Sequence, residues 1–89
     1  MRILKFTLDG IGLTEKMMPI EAKPISAGFQ AGKVVVWAEC PEEESPPSRL
    51  WNFITVPTGQ GIGAEVNAKF IATIVDAQVG FVCHVYHVF

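Results

Sequence analysis

From Arg2 to Asp9 the chain alternates, with Leu4, Phe6 and Leu8 on one face and Lys5, Thr7 and Asp9 on the other. Period two among β-forming residues predicts a strand. Gly10 and Gly12 end it, Thr14–Lys16 reads as a turn or loop, and Met17–Ile20 resumes an extended path into Pro19. Pro24 limits any helix through this region. Ile25–Phe29 and Lys33–Cys40 then read as the arms of a hairpin joined across Gln30-Ala31-Gly32, where a glycine supplies the positive φ a tight turn needs. The second arm contains Val34-Val35-Val36-Trp37-Ala38, apolar on both faces. Such a strand is expected to be central in its sheet and covered on both sides.

Pro41–Ser48 holds three consecutive acids and three prolines, a composition that pairs poorly in sheets and predicts a solvated, mobile loop. An acidic lure for a basic partner is the other reading of that run. Leu50–Val56 is the next strand, with Trp51, Phe53 and Thr55 opposite Leu50, Ile54 and Val56. A glycine-rich loop, Pro57–Gly63, follows it. Phe70–Val75 and Gly80–Phe89 form a last hairpin around Asp76–Gly80. Ala64–Val75 can also be written as a helix, but the β-branched cluster Ile71, Thr73, Ile74, Val75 favours a strand. That leaves at most one short helical turn, near Glu65–Ala68. The expected fold is mostly β: about six strands with hairpin connections, in a curled antiparallel sheet or small barrel.

Eighty-nine residues allow one domain, residues 1–89, with a core built from a few large side chains. Hydrophobic residues are 49 % and charged ones 18 %, more apolar surface than one small core uses. The surplus predicts a homo-oligomer. The formal charge is −2, and the cations Arg2, Lys5, Lys16, Lys23, Lys33, Arg49 and Lys69 are scattered, so double-stranded nucleic acid is not an expected partner. The N-terminus shows no cationic segment followed by a long apolar one, which predicts no signal peptide. No apolar run approaches the roughly 20 residues of a membrane helix. A cytoplasmic location without a membrane partner is expected, with Cys40 and Cys83 as free thiols read most simply as small buried apolar side chains.

Candidate chemistry is sparse. Gly59-Gln60-Gly61-Ile62-Gly63 resembles a phosphate-cradling loop but lacks both the G-x-G-x-x-G spacing and a following Lys-Ser/Thr. It reads as a tight connection, with ligand or partner contact as the functional alternative. Cys83-His84-Val85-Tyr86-His87 looks like a metal cluster until strand geometry is applied: Cys83 and His87 face one way, His84 and Tyr86 the other. Cys83 and His87 also stand about 13 Å apart along a strand. No metal, no cofactor and no catalytic residue is expected, since there is no G-x-S-x-G elbow and no usable Cys–His dyad. Trp37 is read as core, while Trp51 is read equally as core or as an interface anchor.

The order of these features resembles a family of small uncharacterised phage and prophage proteins over nearly the whole chain. The shared points are Met18-Pro19, Trp37-Ala38, an acidic loop, Arg49 to Phe53, Thr58-Gly59, and Phe70-Ile71-Ala72-Thr73 before Phe81-Val82-Cys83-His84-Val85-Tyr86. Ala72 stands where that family usually has glycine, and Gln60 where a histidine is expected after Thr-Gly. The resemblance implies a phage or prophage origin and a compact β domain, and it implies no activity.

Two functional expectations follow. The first is a non-enzymatic phage accessory protein that binds a host protein, for example to counter a defence. The second is an oligomeric binder that sequesters a small nucleotide-like ligand. Arg49, Trp51, Thr58, Gly59, Gln60 and Gly61 are the candidate contacts, because a hydrogen-bonding loop beside an arginine and an aromatic suits phosphate and base recognition. His84 joins them as a ligand- or partner-contact candidate.

Overall fold

The computed structural model describes residues 1–63 and 66–89. Its seven strands are β1 (Arg2–Thr7), β2 (Gly12–Pro19), β3 (Lys23–Gln30), β4 (Lys33–Cys40), β5 (Ser48–Pro57), β6 (Ala68–Asp76) and β7 (Phe81–Val88). They form two antiparallel sheets, one ordered β1-β4-β3 and the other β2-β5-β7-β6. The sheets lie over one another without closing into a barrel, and the molecule is 17 Å across its shortest axis, as two layers about 10 Å apart require. The described residues contain no helix, and hence none long and apolar enough to cross a membrane.

Strand alternation fills the space between the sheets. Leu8 beyond β1, Val36 and Ala38 of β4, Phe53 of β5 and Cys83 and Val85 of β7 are all essentially inaccessible. Phe29 of the first sheet meets Phe81 of the second at 6.2 Å between ring centroids. Cys40 and Cys83 are free and buried in the same cluster. Burial pushes both thiols up from their ordinary value, opposed at Cys40 by nearby Arg2.

The doubly apolar β4 is the central strand of its sheet, as expected. Trp37, however, does not join the core. Val36 and Ala38 point inward, so the intervening Trp37 must point outward, where it is half-buried against Gly28. A Cβ at Gly28 would stand only 3.0 Å from its ring. Trp51 is the core tryptophan, 4 % exposed.

The segment read as a turn, Thr14–Lys16, is the middle of β2 and pairs with Asn52, Trp51 and Phe53 of β5. It escaped notice because its pattern is inverted: Thr14 points into the molecule, whereas Leu13 and Met17 point out. Of the helical turn expected near Glu65–Ala68, Glu65 lies outside the described residues, Val66 and Asn67 are irregular and Ala68 opens β6.

Two connections are hairpins, β3–β4 and β6–β7. The first is a two-residue turn in which both Ala31 (φ 51°) and Gly32 (φ 75°) have positive φ, the geometry that matches strand twist. In the second, Asp76 Oδ1 accepts from the Gln78 amide at 3.1 Å. The chain crosses between sheets at β1–β2, β2–β3 and β4–β5, and β7 inserts between β5 and β6.

Two stability outcomes follow. Ala31→Asn places a residue tolerant of positive φ in the turn, and the relief of about 1 kcal/mol raises Tm by roughly 4–8 °C in a calorimetric scan. Thr55 is fully buried with its hydroxyl unpartnered. Thr55→Val removes that desolvated group while keeping the shape, and stabilises by about 1 kcal/mol or more in urea unfolding.

Candidate functional site

The residues that make a site converge at one end of the sandwich. Period two along β5 puts Arg49 and Trp51 on the inward side of the sheet. Trp51 is anchored there: its indole Nε1 donates to the Pro19 carbonyl at 3.2 Å, and its ring lies parallel to Phe53, centroids 6.3 Å apart. The Arg49 guanidinium sits 4.0 Å over the Trp51 ring, in cation–π range, and donates to the Leu50 carbonyl at 3.1 Å. His87 of β7, whose strand neighbour on β5 is Phe53 and on β6 is Lys69, packs 4.5 Å from Trp51 and 4.4 Å from Phe89.

These side chains border a cavity of about 300 Å³, whose rim also carries Lys23 and Lys69. Its other wall comes from the starts of β3 and β6, which carry the two irregularities of the fold. Register shifts occur between Pro24 and Ser26 and between Phe70 and Ala72. A bulge bends its strand and interrupts the ladder, and Pro24 cannot donate to a ladder at all. Pro24, Phe70 and Ile71 accordingly line the cavity.

The electrostatics are one-sided. Lys23, Arg49 and Lys69 surround the cavity, and no Asp or Glu side chain is present among its described lining residues. His87 is 6 % exposed and its Nε2 has no hydrogen-bond partner. Burial lowers its pKa from the ordinary 6.5, and the positive charges of Arg49 and Lys69 lower it further. The imidazole is therefore neutral at pH 7. It stands ready to bond a ligand atom through an otherwise unsatisfied nitrogen, whose isolation is costly. A larger, shallower hollow of about 600 Å³ alongside has Glu21, Lys23 and Glu39 on its walls and no aromatic ring.

The sequence-expected contacts are divided between two places. Arg49 and Trp51 belong to this cavity. Thr58, Gly59, Gln60 and Gly61 lie beyond the other end of β5, nine residues on and roughly 30 Å away at strand rise, and all four are exposed. The Thr-Gly step is used by the backbone: the Gln60 amide donates to the Pro57 carbonyl at 3.1 Å, and Gly59 takes φ 93° between them, as a type II turn requires. Thr58 bonds His84 instead of a ligand site, Oγ1 to Nε2 at 2.8 Å, and Thr73 Oγ1 meets His84 Nδ1 at 2.9 Å. His84 and His87 face opposite sides of β7, and no group of three His, Cys, Asp or Glu side chains gathers among the described residues.

Sequence reasoning missed Lys23, Lys69 and Phe89 as members of the site and kept His87 as a packing histidine. No local signal joins them. Lys69 meets His87 only through the β6–β7 register, and Lys23 arrives from the other sheet.

The fold and cavity define an all-β protein of two stacked antiparallel sheets with an aromatic, cation-rimmed pocket at one end. Residues 1–89 match the family described as Domain of unknown function (DUF7352), and the chain belongs to that family. No curated protein and no solved structure matches it.

The depressed His87 pKa has a signed consequence. The unfolded chain takes up a proton near 6.5, while the folded protein does so only at lower pH. Stability therefore falls as the pH drops through about 6.5, and stops falling on this account once folded His87 is itself protonated. An NMR titration of the two imidazoles, assigned with His84→Gln, is expected to show His87 titrating below 6.5. A value at or above 6.5 contradicts the buried, cation-flanked environment.

Proposed function

We propose that this protein is a non-enzymatic binder whose working site is the Arg49–Trp51–His87 cavity, and that its ligand is a small aromatic anion of nucleotide type. The carrying observation is the juxtaposition of three cations with an aromatic-walled cavity that ends on an unpartnered, buried imidazole nitrogen. Phosphate oxygens suit the Lys23, Arg49 and Lys69 rim, because charge-assisted bonds from arginine and lysine are the strong ones. A planar base suits the faces of Phe89 and Phe70. The His87 nitrogen then supplies one directional bond, and about 300 Å³ is at the lower end of volumes that hold small ligands.

The phage or prophage setting implied by the motif order gives such a binder a purpose, the sequestration of a nucleotide signal in the host cytoplasm as a counter-defence.

Thermal shift and calorimetric titration against nucleoside monophosphates, cyclic dinucleotides, free nucleosides and inorganic phosphate test this reading. A binding nucleotide at one hundred times its Kd stabilises by about 2.7 kcal/mol. Arg49→Ala and Lys69→Ala, both solvent-facing changes, are each expected to weaken it about tenfold or more, since charged hydrogen bonds contribute roughly 1.5–3 kcal/mol. A panel in which nothing shifts the transition, or binding indifferent to both substitutions, overturns the assignment.

A further inference from the structure

The outward face of β2-β5-β7-β6 is built as an inner surface. Leu13 and Met17 of β2, Leu50 of β5, and Phe70 and Val75 of β6 stand out from it with 66, 58, 52, 51 and 63 % exposure. Ile54 and Tyr86 lie half-buried between them, Tyr86 edge-on to Phe70 at 5.4 Å. The pairing register places Leu13, Ile54, Tyr86 and Phe70 in one row across the sheet.

The polar groups are distributed the wrong way round for a wetted face. Lys16, Arg49, Lys69 and Asp76 of these strands fall on the opposite, core-directed side, and Glu15 is the one carboxylate among the outward-facing described strand residues. His84, at the middle of β7, already has both ring nitrogens bonded, by Thr58 and Thr73. A polar group satisfied in this way loses little when water is withdrawn from it. The outward face of the three-stranded sheet is different. There Lys5 Nζ donates to Gln30 Oε1 at 2.7 Å, linking the two edge strands, and Glu39 lies on the same side.

We infer that this face is the interface of a homodimer, in which the four-stranded sheets of two copies pack against one another. Size and charge choose a second copy. Four strands about 4.8 Å apart and some eight residues long present on the order of 500 Å² in projection, more once side-chain relief is counted. That is the upper range of what a monomer leaves exposed, and it approaches the roughly 600 Å² per partner at the low end of stable interfaces. A face with one carboxylate, on its edge strand β2, and no cation offers little to a charged partner, and its apolar remainder is complementary to itself, as a two-fold interface demands. An axis running along the strands lays β2 over the second copy's β6 and keeps the two Glu15 side chains apart. Phe70 borders both this face and the ligand cavity, so the test substitutions stand at Leu13 and Val75, which line no part of that cavity.

Sedimentation of the full chain between about 1 and 100 μM tests the inference, in a range where weak and tight dimers separate. A species of twice the 9.7 kDa chain mass is expected. Leu13→Glu and Val75→Lys, both exposed in the single subunit, each weaken it at least about tenfold by burying an unpaired charge, with unchanged far-ultraviolet circular dichroism. Ile3→Glu, on the outward face of the other sheet and 59 % exposed at the native residue, leaves the dimer intact. A monomeric wild type at 100 μM overturns the inference and leaves the face to a different protein. A dimer that survives Leu13→Glu/Val75→Lys, or that Ile3→Glu dissolves, overturns it as well.

Discussion

Trp51 holds three parts of the molecule in place at once. Its ring lies in the core against Phe53, and its indole N–H ties β5 to the Pro19 carbonyl at the end of β2, just before the chain crosses to the other sheet. Its remaining face carries Arg49. A buried indole must find an acceptor, and this one shares the Pro19 carbonyl with the Ala22 amide, which closes the turn after β2. That bond and the Ile20–Pro47 and Ala22–Pro19 backbone bonds together hold the β2–β3 crossing, and with it Ala22, Lys23 and Pro24. The same ring therefore sets the end of the core and the wall of the cavity.

The cavity is the place where the regular pattern is allowed to fail. Edge strands β3 and β6 each carry an irregularity near their starts, so the two sheets do not zip together there. The charges left around the gap are all positive. The cost of that arrangement is visible at His87, held neutral by burial and by Arg49 and Lys69. A bound anion would offset both the mutual repulsion of the cations and the isolation of the imidazole nitrogen. The larger hollow beside it differs, because Glu21 and Glu39 share its walls with Lys23.

The two outward faces of the sandwich show how a small chain divides its apolar surplus. On the three-stranded sheet, Trp37 packs against Gly28 and Lys5 is tied to Gln30. On the four-stranded sheet the apolar side chains stand free and the one central histidine is already satisfied. A small domain has too much surface for its volume to cover every apolar residue internally. The four-stranded sheet carries most of the apolar side chains left exposed on the strands.

The all-β class, the apolar β4 as a central strand, both hairpins and the opposed directions of His84 and His87 were legible in the sequence, because period two and turn chemistry act over a few residues. β2 was not, since its outward apolar and inward polar positions invert the rule used to find strands. Trp37 was misplaced because bulk says nothing about which face a residue occupies, while its neighbours Val36 and Ala38 do. Arg49 and Trp51 were grouped as an arginine beside an aromatic, and β5, which begins at Ser48 and not at Leu50, puts both on one face. Their link to the Thr58–Gly61 loop was not sound, because a ten-residue β5 separates them by its own length. Lys23, Lys69 and His87 could meet only through strand register and the crossing between sheets. Local alternation determines which side of a strand each residue takes. Long-range pairing, whose partners lie up to dozens of residues apart, decides which of those sides share a cavity.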